Sequence, residues 1–330
     1  MRVLFNTYPV AFDCPGGGEI QLVRSRDALE SLGHEVVLFD PWRPQLRDVD
    51  LVHYFSVQGG SMNFCDYAKR LGLPLLISPV LWLTDENRKH FPLGEIRDLL
   101  HVCDRILPNS EAEANQLSLE FNIALDKFTV VPNGVDADFA RPVDGRLFRE
   151  QFGIAGRFLL NVANIEPRKN QHRLCRAVRE LGIDLALVGN VRDRQYLELC
   201  LREAGGRARY LGYIDHEDDL LKSAYQACDV FVLPSLLETP GLAALEAAAQ
   251  GAKVVVTEVG SPPEYFGEHA SYVDPLDTDS IRAAIETQMA ADRFPDLQRY
   301  VLEHFTWRHA GHALRRAYEL ALHDRIARAA

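Results

Sequence analysis

Two carboxylates, a helix start and two adjacent cations are the residues of this chain best placed to do chemistry together. Glu238 and Glu246 have seven residues between them in the stretch 230–251, VFVLPSLLETPGLAALEAAAQG. Its apolar opening, residues 230–233, suits a strand buried on both faces. Pro240 and Gly241 then introduce good helix formers from Leu242 to Gln250, and Gly251 stops them. The first N–H groups of such a helix are unpaired and its dipole favours negative charge, so the strand–loop–helix unit is an anion site. Fixed acids do not help to hold phosphate. They suit a ligand whose phosphates are flanked by hydroxyl-rich groups, because a carboxylate accepts from paired hydroxyls. A nucleotide-sugar has that layout.

A second loop, Asn164-Ile165-Glu166-Pro167-Arg168-Lys169-Asn170, also follows a buried strand and precedes a helix. Arg168 offers a planar fork and Lys169 a point charge, both suited to a diphosphate. Two neighbouring basic residues are more often a solvated loop. Here the loop follows a strand of the same sheet as the Glu238 loop and therefore shares its rim. Near the start, Gly16, Gly17 and Gly18 lie between strand and helix, where backbone approaches a ligand closely. Gln21 occupies the third glycine position of G-x-G-x-x-G, and no G-x-x-x-x-G-K-[ST] occurs. Asn133-Gly134 reads as a turn, and His90 as a lone solvated or structural histidine.

The elements that must carry these loops alternate between strand and helix. In the first half, strands are predicted at residues 3–6, 35–39, 51–54, 74–78, 105–107 and 128–131, with helices at 19–32, 63–71 and 111–119. Residues 139–156 hold Pro142, Gly145, Gly153 and Gly156 without a strand pattern and read as a linker. The second half predicts strands at 158–162, 184–188, 208–213, 230–233, 253–257 and 271–273, and a helical tail from Ser280. This alternation implies parallel sheets covered on both faces, with ligands beyond the carboxyl ends of the strands. The expected fold class is α/β, two doubly wound Rossmann-like domains facing across a cleft. Residues 1–152 form the first and 153–305 the second, with 306–330 crossing back to complete the first.

Composition sets limits on partners. The 330 residues exceed one comfortable core. A net charge of −11 argues against nucleic acid as the main partner. Cys14, Cys65, Cys103, Cys175, Cys200 and Cys228 are scattered without metal spacing and read as reduced, mostly buried thiols. No signal peptide or membrane span is evident, so a cytoplasmic protein is expected, peripheral at most at the inner membrane face. Arg308, Arg315, Arg316, Arg325 and Arg328 make the tail arginine-rich, and read as the solvated face of a packing helix.

The ordered set of motifs resembles the retaining glycosyltransferases of the GT-B fold, family GT4. It comprises Gly16–Gly18, Pro108-Asn109-Ser110, Val131-Pro132-Asn133-Gly134-Val135-Asp136, Glu166-Pro167-Arg168-Lys169-Asn170, Val188-Gly189-Asn190, Leu211-Gly212-Tyr213, and Pro234-Ser235 leading to Glu238 and Glu246. The resemblance spans nearly the whole chain. It implies that Glu246 binds ribose hydroxyls and Glu238 the hydroxyls of the transferred sugar. It further implies that Lys169, with backbone N–H groups at Gly241 and Leu242 after Pro240, neutralises the diphosphate. Tyr213 and Ile214 would line the base pocket, Gly189 would also be substrate-binding, and Gly17 and Gly18 would close on the sugar or the distal phosphate.

Two departures stand out. The family commonly has Arg where this chain has Asn164, which passes the diphosphate duty to Arg168. It also often has a His near the reacting sugar after the 74–78 strand, where this chain reads Pro79-Val80-Leu81-Trp82, with Asp85, Glu86 and His90 as candidate substitutes.

The expected activity is transfer of a hexose from a nucleotide-diphosphate sugar to a carbohydrate, lipid-linked or small-molecule acceptor with retention, with no metal and no other cofactor. A related nucleotide-sugar epimerase and a non-catalytic nucleotide-sugar-binding homologue are the alternatives.

Overall fold

The computed structural model describes residues 1–13, 16–57, 61–293 and 295–329, and the chain divides into two compact units. The first unit joins residues 1–134 to 307–330; the second is 135–306.

In the first unit the elements run β1 (Arg2–Asn6), α1 (Gly17–Ser31), β2 (Glu35–Leu38), β3 (Leu51–Phe55), α2 (Met62–Arg70), β4 (Leu75–Ser78), α3 (Leu93–Val102), β5 (Arg105–Ile106) and α4 (Glu111–Phe121). Among the described residues five strands pair in the order β2-β1-β3-β4-β5, all parallel. Buried apolar runs such as Leu75–Ser78 fit this two-sided cover. Residues 128–131 do not extend the sheet as a strand; Phe128 makes only a single parallel bridge to Ile106.

The second unit runs α5 (Arg146–Phe152), β6 (Phe158–Val162), α6 (Gln171–Leu181), β7 (Asp184–Val188), α7 (Arg194–Glu203), β8 (Ala208–Tyr210), α8 (Asp219–Ala227), β9 (Val230–Leu233), α9 (Leu242–Ala249), β10 (Val254–Thr257), α10 (Pro262–Phe266), β11 (Ser271–Val273), α11 (Thr278–Ala290) and α12 (Asp296–His304). Among the described residues its six strands, all parallel, are ordered β11-β10-β9-β6-β7-β8. The order turns about β6, whose neighbours are β9 on one side and β7 on the other. Strand order reverses there, and the helices after β6 and β9 pack into different cores, α6 in one and α9 in the other, so the loops leading to them lie side by side where open α/β sheets bind ligands.

The boundary falls at Gly134–Val135, not near residue 152. Residues 139–156 are part of the second unit: Phe139 and Phe148 are almost fully buried in its core, and the Phe148 N–H donates to Ser223 Oγ at 2.9 Å. Glycine and proline there punctuate packed turns; Gly145 lies against Ala227, and Gly153 ends α5 at φ +62°.

The last helix, α13 (Trp307–Ala329), belongs to the first unit. Leu314, Ala317, Tyr318 and Ala321 share a core with Val3, Phe5, Leu22 and Leu29. A Cβ on Gly311 would lie 3.0 Å from Ala28 Cβ, so glycine permits the close crossing of α1. Arg308, Arg316 and Arg325 are exposed, and Arg315 reaches Glu319 at 3.6 Å, as a solvated face requires. Below this helix His53 is fully buried, with Nδ1 2.7 Å from Tyr318 Oη and Nε2 2.9 Å from Ser78 Oγ. Burial lowers its pKa to about 3.

Cys65, Cys103, Cys175, Cys200 and Cys228 are buried free thiols; Cys14 and the Arg328 side chain lie outside the described residues. Among those residues no helix is long and apolar enough to cross a membrane.

Candidate active site

The loop after β9 is held in place by its own backbone. Glu238 N–H donates to Val259 O at 3.2 Å, and Glu238 O accepts from Ser261 N at 3.0 Å, extending the β9–β10 pairing by one bridge to Gly260. Gly260 has φ +106°, and a Cβ there would stand 2.0 Å from Glu238 O. Only glycine fits. Gly241 (φ +92°) turns the chain into α9, packed beneath by Leu233. Within α9, Glu246 is the single acid in a buried run of alanine and leucine.

The loop after β6 is clamped onto this one. Asn170, itself at φ +59°, donates through Nδ2 to Pro234 O (2.8 Å) and Pro275 O (2.7 Å). Leu236 N–H donates to Arg168 O at 2.9 Å. These bonds bring Lys169 Nζ to 2.5 Å from Glu238 Oε1, with Ser235 Oγ donating to the same oxygen. The pair therefore spans the point where the strand order reverses.

Glu238 is buried and the Lys169 side chain is only 14% exposed, and their electrostatics follow from that. Burial raises Glu238, but Lys169, Arg168 and Ser235 outweigh it, and the carboxyl lies below its ordinary value. Burial lowers Lys169, with partial compensation from Glu238. We take the pair as carboxylate and ammonium, because the contact is short and every neighbour of Glu238 favours its anion. Glu238 is thereby a neutralised hydrogen-bond acceptor.

Arg168 is exposed and pairs with Glu166 at 3.0 Å. A different guanidinium meets Asn164. With its amide oxygen facing Arg192, Asn164 accepts from Arg192 Nε at 3.0 Å and Nη2 at 3.2 Å. Arg192 lies in the loop after β7 and its N–H donates to Ile165 O. That loop begins at Gly189 (φ +142°), where a Cβ would stand 2.0 Å from Ala163 O. Arg192 was not singled out in the sequence; its place two residues beyond Gly189-Asn190 was the available signal.

Glu246 is also held at both oxygens. His216 Nε2 is 2.9 Å from Oε1, and Tyr225 Oη donates to Oε2 at 2.8 Å. Tyr225 is fully buried, and burial together with Glu246 holds its phenol well above the ordinary value, so it stays a donor. His216 follows Tyr213 and Ile214 in the loop before α8; Ile214 is buried and Tyr213 exposed. Neither His216 nor Tyr225 was read from the sequence.

Gly17 and Gly18 belong to the first unit. They form the first turn of α1, where a helix was expected only from residue 19, and a Cβ on either would meet nothing within 4 Å. Asp85, Glu86 and His90 are exposed in the same unit. The chain after β4 is shaped instead by buried Glu113, whose carboxylate accepts from Leu81 N (3.0 Å) and Asn109 N (2.7 Å) beside Val80 at φ +48°. Among the described residues no group of three or more His, Cys, Asp or Glu side chains could hold a metal ion.

Residues 147–300 match the family model described as glycosyl transferases group 1. The serotype-specific mannosyltransferase WbdA of Escherichia coli is 28% identical over 258 residues, covering 72% of this chain and 31% of its own length. The D-inositol 3-phosphate glycosyltransferase of Mycolicibacterium smegmatis is 31% identical over 253 residues, covering 72% and 57%. The chain thus matches only part of these curated relatives. Sucrose-phosphate synthase from Thermosynechococcus elongatus shares 19% identity at a TM-score of 0.78, over 97% of this chain and 99% of that one. Anabaena HepE, solved in complex with UDP-glucose, shares 19% at 0.77, over 97% and 99%. At these identities the structures establish the fold. Family match, relatives and fold agree: residues 147–300 belong with the glycosyl transferases of group 1, in a chain built on the GT-B fold.

Proposed function

We propose that the protein transfers a hexose from a nucleotide-diphosphate sugar to an acceptor hydroxyl with retention, in the synthesis of a polysaccharide, glycolipid or other glycoconjugate. The observation that carries this is the Lys169–Glu238 pair at the strand-order reversal, one loop from the α9 N-terminus and within a domain that matches glycosyl transferases group 1. Lys169 has three N–H donors. One holds Glu238, and the others face the diphosphate together with Arg168 and the N–H groups of Gly241 and Leu242. Glu238 receives hydroxyls of the transferred sugar, and Glu246 those of the ribose. HepE was solved with UDP-glucose, which supports a donor of the same class here.

In the reaction the bond from the anomeric carbon to the phosphate oxygen breaks and a bond to the acceptor oxygen forms on the same face. The acceptor proton passes to the departing phosphate oxygen. Glu238, neutralised by Lys169 and Ser235, acts as an acceptor of hydrogen bonds and not as a nucleophile. Lys169 and the helix end supply the positive charge that would otherwise call for a metal. The acceptor is a carbohydrate, a lipid-linked sugar or a small molecule.

A thermal-shift panel of UDP-, GDP-, ADP- and dTDP-sugars, followed by turnover with and without acceptors, tests this. Stabilisation by one donor class and acceptor-dependent release of its nucleoside diphosphate is the expected result, lost in Glu246→Ala. Conversion of the donor sugar with no acceptor present would replace transfer by epimerisation. Stabilisation without any product would leave a binding protein.

A further inference from the structure

We propose that His216 and Tyr225 are positioning residues that present the Glu246 carboxylate to a pair of adjacent hydroxyls, and thereby make the site select ribonucleoside over 2′-deoxyribonucleoside diphosphates. This rests on the reading of Glu246 as a ribose-binding residue. A carboxylate has four lone-pair positions. Two are taken here, one on each oxygen, by His216 Nε2 at 2.9 Å and Tyr225 Oη at 2.8 Å.

The two donors come from different elements. His216 lies on the loop before α8 and Tyr225 inside α8, so together they fix both the rotation and the tilt of the carboxylate plane. His216 is itself steadied by Phe139, whose ring meets it edge-on at 5.0 Å between centroids. Glu246 is 7% exposed, so little of the carboxylate remains accessible. The remaining acceptor positions, again one per oxygen, match two vicinal hydroxyls. A glutamate without this frame would have to be ordered by the ligand itself, at an entropic cost. A framed one also leaves a buried acceptor unpaired when a hydroxyl is missing, which is what makes such a site reject the analogue.

The test measures binding of UDP, GDP and ADP, each against its 2′-deoxy counterpart, to the full chain by calorimetry. For the base bound best, wild type should prefer the ribonucleotide by at least about tenfold, the value of one hydrogen bond to a charged group. His216→Ala and Tyr225→Phe should bring the two affinities to within about threefold of each other, chiefly by weakening the ribonucleotide. His216→Gln, which can return an N–H to the same oxygen, should restore most of the preference. Inorganic pyrophosphate should compete equally with all variants.

A wild-type preference retained in both His216→Ala and Tyr225→Phe would overturn the inference. So would an equal loss of both nucleotides, which would mark a packing role. Failure of wild type to bind any nucleoside diphosphate would instead overturn the underlying reading of the site, and the inference with it. If His216→Ala does not fold, Tyr225→Phe, which keeps the buried ring, decides the matter.

Discussion

Lys169 Nζ lies 2.5 Å from Glu238 Oε1 although 69 positions separate the two residues in sequence. The contact is largely shielded from solvent and crosses between the loops of β6 and β9, so it is at once a structural clasp and part of the proposed donor site. Removing one partner of a buried pair strands the other charge, at a cost of about 3–5 kcal/mol. Lys169→Met and Glu238→Gln should each lower the unfolding midpoint of the full chain in denaturant. The double variant should recover most of that loss yet show no transfer. Recovery of turnover in the double variant would remove both residues from the reaction.

Gly260 of the second unit and Gly17 of the first differ in what an added Cβ would meet, and alanine substitution separates them. At Gly260 a Cβ would displace the carbonyl of Glu238 itself. Gly260→Ala should cost about 2–4 kcal/mol, measured by equilibrium unfolding, and lower turnover as well. At Gly17 nothing lies within 4 Å of an added Cβ, and the residue is helical. Gly17→Ala should leave stability unchanged or raise it by up to about 1 kcal/mol. A fall in turnover despite that would mark Gly17 as kept for the approach of a ligand, and unchanged kinetics would mark it as a mere helix start.

Arg192 supplies the guanidinium that meets Asn164. If that group contributes to diphosphate binding, Arg192→Gln should raise the donor KM about tenfold, with a smaller change in kcat. Arg168→Gln, which removes an exposed partner of Glu166, should have the lesser effect. The reverse ranking in steady-state kinetics would make Arg168 the leading guanidinium at the diphosphate and leave Arg192 as a support for Asn164.

His53 makes the first unit sensitive to acid. Its pKa is about 3 in the folded chain against 6.5 in the reference state, so folding excludes the proton. The associated stability is intact above pH 6.5 and is lost progressively as pH falls from 6.5 toward 3, by about 1.4 kcal/mol per pH unit. His53→Gln should unfold at a lower temperature than wild type at pH 7.5 but lose less on going to pH 5. Thermal unfolding at both pH values, with parallel slopes as the contrary result, checks this.

Much of the fold was legible because buried parallel strands write themselves as unbroken apolar runs. Residues 158–162, 184–188, 230–233 and 271–273 were read at their observed limits. The linker was misread because Pro142, Gly145 and Gly153 resemble spacer sequence, whereas Phe139 and Phe148 between them are core residues. Candidate site residues announced by local pattern, such as Lys169 beside Arg168 or Glu238 before Pro240-Gly241, could be proposed from sequence. Those assembled by tertiary contact could not. His216 and Tyr225 stand 30 and 21 positions from Glu246, and no periodicity links a lone histidine or a helical tyrosine to a distant acid. Arg192 escaped for the same reason, since its partner lies on the adjacent strand's loop.

Val135 N–H donates to Phe305 O at 2.8 Å, so the second unit begins and ends at one place. In topological terms it is an insertion into the first. Leu314, Tyr318 and Ala321, which seal the core over β1 and α1, are synthesised only after all of the second unit. During translation the inserted unit can therefore finish folding while the host unit still waits for its final helix.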